Sequence, residues 1–186
     1  AERGLLEGFP DGSFHPNQPM TRAEFAVLLS HFPWSQWLNL AEITPYGADF
    51  TDVPSTSWAA VDIEQVAQWG LMRGDPDQRF RPQSPISRLE VLLTVSTVLK
   101  SRPNADRAVL SYYHDQFIIP TYAQESIALA TVHQFVVSYP DPHFLNPTRF
   151  ATRAEACAFL HQLLVYQGII HAVKSPYIAK VQEPHS

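Results

Sequence analysis

An arginine follows a threonine or serine at three places in this chain, and a glutamate stands two residues further on each time: "TRAE" from Thr21, "SRLE" from Ser87 and "TRAE" from Thr152. Hydroxyl and carboxylate at this spacing make a capping box. The hydroxyl accepts from the amide three residues on, and Glu24, Glu90 or Glu155 reaches back to the amide of the cap residue. Three helices should therefore start here, with Arg22, Arg88 and Arg153 in the first helical position. Positive charge there opposes the helix dipole at a cost of about 0.3–1 kcal/mol. Folding alone favours Asp, Glu or Pro at that place. A guanidinium beside unsatisfied backbone N–H groups makes an anion site, best suited to a planar carboxylate. The other reading is an ion pair with a neighbouring aspartate such as Asp52 or Asp115. Residue type and spacing leave both open.

The surroundings of these arginines are repeated as well. "GFPDGSFHPNQPMTRAEF" from Gly8 aligns without a gap on "GDPDQRFRPQSPISRLEV" from Gly74 at an offset of 66. "SYPDPHFLNPTRFATRAEA" from Ser138 follows the second copy at an offset of 64, then takes one extra residue before Arg153. Each begins with turn chemistry, and Phe14, Phe80 and Phe144 are expected to anchor the three turns in a core. Ser138 and Pro142 stand at turn-glycine positions in the third copy, and Gln78 replaces Gly12 in the second. Upstream, "FTDVPSTSWAAVDIEQVAQWGLMRG" from Phe50 pairs with "YHDQFIIPTYAQESIALATVHQFVVS" from Tyr113. Asp52 then matches Asp115, Trp58 matches Tyr122 and Ile63 matches Ile127.

Each unit reads helix, loop, helix. The first helix of the second unit should run from about Ser57 to Trp69, capped by Ser55 or Ser57 and stopped by Gly70. Its counterpart covers about Tyr122 to His133, with Gln134 at the stop. In the second helices apolar residues recur at helical spacing, as in Phe25, Leu28, Leu29 and Phe32, or Val91, Leu92, Val95, Val98 and Leu99. The last helix runs from Arg153 to Gln167 and ends at Gly168. Strand signals are poor throughout. The expected division is repeat 1 with its connecting segment over 1–49, repeat 2 with its connecting segment over 50–112, repeat 3 over 113–168 and a tail over 169–186. Repeat 1 lacks the first helix, and the tail is a candidate to fill that place. The connecting stretches "SQWLNLAEITPYGA" and "SRPNADRAVLSYY" should each carry a short helix or turn.

Bulk properties exclude several classes. With 45% hydrophobic residues the chain should fold, and its net charge of -5 disfavours nucleic acid as a partner. No apolar run approaches the roughly 20 residues that span a bilayer. The opening "AERGLLEGF" holds no signal-peptide core, so a leader is either removed or not needed. The single cysteine, Cys157, excludes an internal disulfide and is expected to be a buried packing thiol. "DPDQ" at 75–78 is only a fragment of a calcium loop. His31, His161 and His171 fit helix-surface or core positions better than metal ligation. Nucleophile motifs are absent, and the repeats supply no acid–base pair. No cofactor, metal or catalytic role is expected.

"GLLEGFPDGSFHPNQPMTRAEFAVLL" resembles an S-layer homology repeat, a family marked by a Gly-Tyr/Phe-x-Asp-Gly turn followed by a Thr-Arg-Ala-Glu helix start. "FTDVPSTSWAAVDIEQVAQWGLMRG" resembles the opening half of the same repeat. The likeness covers about residues 4–32, 50–100 and 113–168. It implies a mainly α fold of three helix-loop-helix repeats, in a pseudo-threefold lobed arrangement around a central helical bundle. It further implies non-catalytic anchoring in the bacterial cell envelope, outside the cytoplasm. The implied ligand is an anionic, often pyruvylated, cell-wall glycan held in grooves between repeats. Carried over by position, Arg22, Arg88 and Arg153 would clamp the pyruvate carboxylate, and Trp58 and Tyr122 would offer faces to sugar rings. A single aromatic on a helix is also a common core residue.

A rival reading makes the chain a structural subunit that uses the same fold for protein contacts. "FPWSQWL" carries Phe32, Trp34 and Trp37 close together, a candidate protein interface. Packing of this connecting segment onto its own lobe would equally use them.

Overall fold

A computed structural model of the chain describes residues 11–34, 49–99 and 105–181. The fold is mainly α. Five α-helices lie in these segments: α1 (Arg22–Ser30), α2 (Ala60–Gln68), α3 (Arg88–Val95), α4 (Gln124–Val132) and α5 (Arg153–Tyr166). Short 3-10 turns cover Ser96–Leu99, Arg107–Tyr112, Gln116–Ile118 and Thr121–Ala123. Among the described residues, extended pairing is limited to isolated bridges.

The capping boxes form as their letters dictate. Thr21, Ser87 and Thr152 are the N-caps of α1, α3 and α5, each accepting from the amide of its glutamate. The glutamates return the bond, with Glu24, Glu90 and Glu155 accepting from the three cap amides at 2.7, 2.9 and 2.9 Å. α3 is cut short because hydroxyls on its last turns bond back to the backbone. Thr94 donates to the Glu90 carbonyl and Ser96 to the Leu92 carbonyl, and the chain tightens into 3-10 geometry.

The other helix type starts differently from expectation. α2 begins at Ala60 rather than near Ser57, and its N-cap is Ala59, with no side-chain bond from Ser55 or Ser57. A backbone bond from the Ala60 amide to the Ser57 carbonyl, 3.1 Å, makes the lead-in turn instead. In the third repeat the same lead-in is the 3-10 turn Thr121–Ala123, running straight into α4. α2 stops at Gly70, with φ +65°, and α4 stops at Gln134, which adopts φ +60° in the same role. α5 ends before Gly168, at φ +71°.

The chain divides into two compact units, 1–86 and 87–186. In the first, α1 packs against α2, burying Phe25, Leu29, Ile63 and Val66. Phe32 and Trp34 join this core, their rings 5.3 Å apart, and the Trp34 indole donates to the Leu29 carbonyl at 2.8 Å. Both are buried and present no surface for a partner. Trp37 lies outside the described residues. In the second unit α3 packs against α4 and α5 around Leu92, Ile127, Phe135 and Phe159. Tyr113 is buried there, its hydroxyl 2.9 Å from that of Thr131, and burial raises its pKa above the ordinary value. The described part of the second connecting stretch carries the expected short helix, with Asp106 capping the Ala108 amide at 2.8 Å. Tail residues Tyr177–Ala179 pair with Val136–Ser138 in this unit.

Turn anchoring corrects the expected register. Phe80 is fully buried, whereas Phe14 and Phe144 are 36% and 39% exposed. Asp52 accepts from the Phe80 and Arg81 amides, both at 2.8 Å. Asp115 accepts from Leu145 and Asn146 at 2.9 and 2.7 Å. Leu145, fully buried, is therefore the counterpart of Phe80. The extra residue of the third repeat falls inside the turn, ahead of Leu145, not between the turn and Arg153.

Candidate functional site

The three arginines occupy the first helical position as expected, but the amides around two of them are already used. In α1 the Arg22 and Ala23 amides donate to the Ser84 and Pro82 carbonyls at 2.9 and 3.0 Å. In α3 the Arg88 and Leu89 amides donate to the Arg149 and Pro147 carbonyls at 2.9 and 3.1 Å. With the third amide taken by the cap hydroxyl, the donors of both helix starts are satisfied by main chain and cap. The carbonyls come in each case from the proline-rich lead-in of the following repeat. An anion site built from those amides is thus filled by the protein itself.

The side chains follow the same rule. Arg22 donates from Nε to the Phe80 carbonyl at 2.8 Å and from NH2 to the Arg73 carbonyl at 2.7 Å, its guanidinium 4.7 Å from the Phe80 ring centre. Arg88 donates from Nε to the Leu145 carbonyl at 2.8 Å, and from NH2 to the Val137 carbonyl and the Ser138 hydroxyl at 3.2 and 2.6 Å. Each guanidinium therefore ties the turn of the next repeat. Carbonyl oxygens crowding the helix start explain how it accepts a positive charge, which their partial negative charge offsets. Neither Asp52 nor Asp115 is the carboxylate partner of Arg88. That partner is Glu155, at 2.7 Å, the same residue that closes the α5 capping box.

Arg88 is fully buried, and burial pulls its pKa down while the Glu155 charge works against that shift. Arginine stays protonated across the physiological range. Burial pushes the Glu155 carboxyl up, but the Arg149 hydrogen bonds, the Arg88 charge and the Thr152 amide together hold it below its ordinary value. Arg153 is also buried, at 6% exposure.

Trp58 and Tyr122 stand differently. Trp58 is 63% exposed in the turn before α2, and Tyr122 is 76% exposed in the 3-10 turn before α4. Their exposure removes the reading of both as core residues. Two equivalent positions thus present flat aromatic surface to solvent at the head of the same helix type. Sequence reasoning missed Phe117, 82% exposed, and Ile118, 42% exposed, which sit in a loop longer by one residue in the third repeat. Only that added length marked them.

Remaining candidates resolve into local roles. The "DPDQ" carboxylates face Arg81, which binds Asp75 through Nε and Asp77 at 3.0 Å. Cys157 is half-buried, its thiol pushed up to about 11 by burial. Tyr112, His143 and His114 form a stacked series with centroid spacings of 4.7 and 5.6 Å, and Phe144 meets His114 edge-on. These rings brace the irregular third turn.

Helix pairs tied through turn arginines and proline-rich lead-ins define a class, the helical tandem-repeat module. The model of the S-layer homology domain matches residues 1–26 and 49–92, and through these segments the chain belongs to the S-layer homology family. Similar proteins include cell surface glycoprotein 1 of Acetivibrio thermocellus, 32% identical over 87% of this chain and 7% of its own length. An amylopullulanase of Thermoanaerobacterium thermosulfurigenes is 30% identical over 91% of this chain and 9% of its own. A cellulosome-anchoring protein of A. thermocellus is 33% identical over 60% of this chain and 24% of its own. The chain thus spans less than a quarter of the length of each of these relatives. The first two alignments are long enough to take in part of the third repeat, which the family model leaves unmatched.

Proposed function

We propose that this chain is a non-catalytic anchoring module of the bacterial cell envelope that binds an anionic, pyruvylated cell-wall polysaccharide. The family match and the anchoring relative support the cell-wall part of this reading. The observation that carries the glycan part is the exposure of Trp58 and Tyr122 at equivalent positions. In this reading they stack on sugar rings. The ligand roles of Arg22, Arg88 and Arg153 rest on the family likeness, and Arg88 acts chiefly by fixing the turn of the next repeat. No described helix is long and apolar enough to cross a membrane.

Co-sedimentation with cell-wall sacculi, intact and stripped of attached polymer, tests the proposal. Trp58→Ala combined with Tyr122→Ala should lower binding at least about tenfold, since aromatic stacking of this kind is worth on the order of 1 kcal/mol per ring. Equal binding by the double variant, or equal binding to stripped sacculi, would refute it. Exposed Phe117 and Ile118 favour one second reading, in which the module also assembles with a protein. Retained sacculus binding by a Phe117→Ser variant with loss of a co-purifying protein would support that role.

A further inference from the structure

The chain contains two aspartyl–prolyl bonds, Asp75–Pro76 and Asp141–Pro142. Such a bond is open to attack by its own side chain. The carboxylate can close a five-membered ring on the main-chain carbonyl carbon, and the proline nitrogen, a tertiary amide without N–H, departs once it is protonated. The missing N–H also closes the competing route, in which the next amide nitrogen attacks the carboxyl. What such a bond lacks at neutral pH is a proton donor.

The two bonds differ in that respect. Asp75 faces Arg81, whose guanidinium cannot give up a proton, and the residue after Pro76 is a second carboxylate, Asp77. Asp141 faces an imidazole. Its Oδ1 accepts from the His143 amide at 2.9 Å and lies 2.9 Å from His143 Nδ1, which leaves Oδ2 outside both contacts. The His143 ring is held in place by Tyr112 and His114, its centroid 4.7 and 5.6 Å from theirs. Asp141, Tyr112 and His114 are the described titratable groups in contact with that ring. The His143 amide and ring hold the Asp141 carboxyl below its ordinary value, so it stays an anionic nucleophile in weak acid. Both side chains are half-exposed, open to water.

We propose that Asp141–Pro142 is a self-cleavage site, with Asp141 as nucleophile and His143 as general acid. Oδ2 adds to the Asp141 carbonyl carbon, and the bond from that carbon to the Pro142 nitrogen breaks. The nitrogen's electron pair takes the proton shared between His143 Nδ1 and Asp141 Oδ1. Water then opens the cyclic anhydride and restores the proton, leaving two carboxyl groups on Asp141 and a free Pro142 amine. The halves stay together, because Arg88 holds Ser138 on one side of the bond and Leu145 and Glu155 on the other. The tail also pairs across the break, Ser138 to Tyr177 and Ala179 to Val136, both at 2.9 Å.

Incubation of the folded chain between about pH 5 and 8, the range in which an imidazole gains its proton, tests this on denaturing gels with mass spectrometry. Fragments 1–141 and 142–186 should appear faster as pH falls, at least about tenfold faster than cleavage at Asp75–Pro76. Hydroxylamine should trap the anhydride as a C-terminal hydroxamate on the first fragment. His143→Ala, which keeps the amide bond to Asp141, should bring the rate down to that of Asp75–Pro76, and Asp141→Ala should abolish the fragments. In urea at the same pH both bonds should cleave at one slow rate. An intact chain, equal cleavage at the two bonds in the folded state, or an advantage that survives urea or His143→Ala overturns the proposal. Fragments without hydroxamate overturn the anhydride step and with it the role of Asp141.

Discussion

Arg88 shows how a residue selected by its charge becomes a structural part. Its guanidinium, fully buried, holds two carbonyls, a hydroxyl and the Glu155 carboxylate. Arg88→Met leaves Glu155 with a lost partner and frees two carbonyls, so urea denaturation should show about 3–5 kcal/mol of destabilisation. Arg88→Lys should recover little of it, because an ammonium cannot span the same fork. The ion pair also gives stability a pH dependence. Glu155 is depressed in the folded state, so its contribution is fully present above the ordinary carboxyl value of 4.5 and lost as pH falls through the folded value. Urea midpoints measured from pH 7 to pH 3 should therefore fall less steeply for Glu155→Gln than for the native chain. Gly74 is constrained by space instead. A Cβ there would collide with the Phe50 ring and sit 2.8 Å from the Arg79 carbonyl oxygen. Gly74→Ala should cost about 1–3 kcal/mol, read from the same denaturation curves.

Among the elements, the two kinds of helix are specified to different degrees. α1, α3 and α5 begin where a hydroxyl and a glutamate three residues apart close a box, a purely local device. α2 and α4 begin without any side-chain cap, and their starts are set by lead-in turns that vary in length. Their ends share a left-handed residue, Gly70 in one and Gln134 in the other. Gln134 is exposed, and the described bonds of this residue use its backbone. Gln134→Gly should thus relieve the left-handed cost and raise stability by about 0.5–1 kcal/mol, visible as a higher melting temperature. A lower melting temperature would mean that the glutamine side chain contributes more than its backbone strain removes.

For the whole molecule, sequence repeats and packing units are out of step. α1, the second helix of repeat 1, packs with α2, the first helix of repeat 2, and the division between compact units falls at 86/87 within repeat 2. The linkage is chemical as well as spatial, because Arg22 and Arg88 each tie a turn belonging to the next repeat. The aromatic residues proposed to meet the polymer take no part in that linkage. Trp58→Ala and Tyr122→Ala should therefore leave thermal stability within about 0.5 kcal/mol of the native value even where sacculus binding falls. A large loss of stability would show that these rings carry the fold and not the ligand.

Local chemistry was legible in the sequence: the three capping boxes, the repeat itself, the glycine stops and the apolar faces of the helices all follow from neighbours within a few residues. Only tertiary structure decided what the arginines touch. Their partners, such as Phe80 for Arg22 and Leu145 for Arg88, lie 58 and 57 residues away. Spacing along the chain cannot tell a carbonyl partner from a carboxylate one. It also decided that Leu145 replaces Phe144 as an anchor, since that register is set by Asp115 reaching 30 residues to a backbone amide. Burial of Phe32 and Trp34 and exposure of Trp58 and Tyr122 were settled in the same way. An aromatic residue carries the same apolar surface wherever it stands, and only its neighbours in space determine whether that surface is covered.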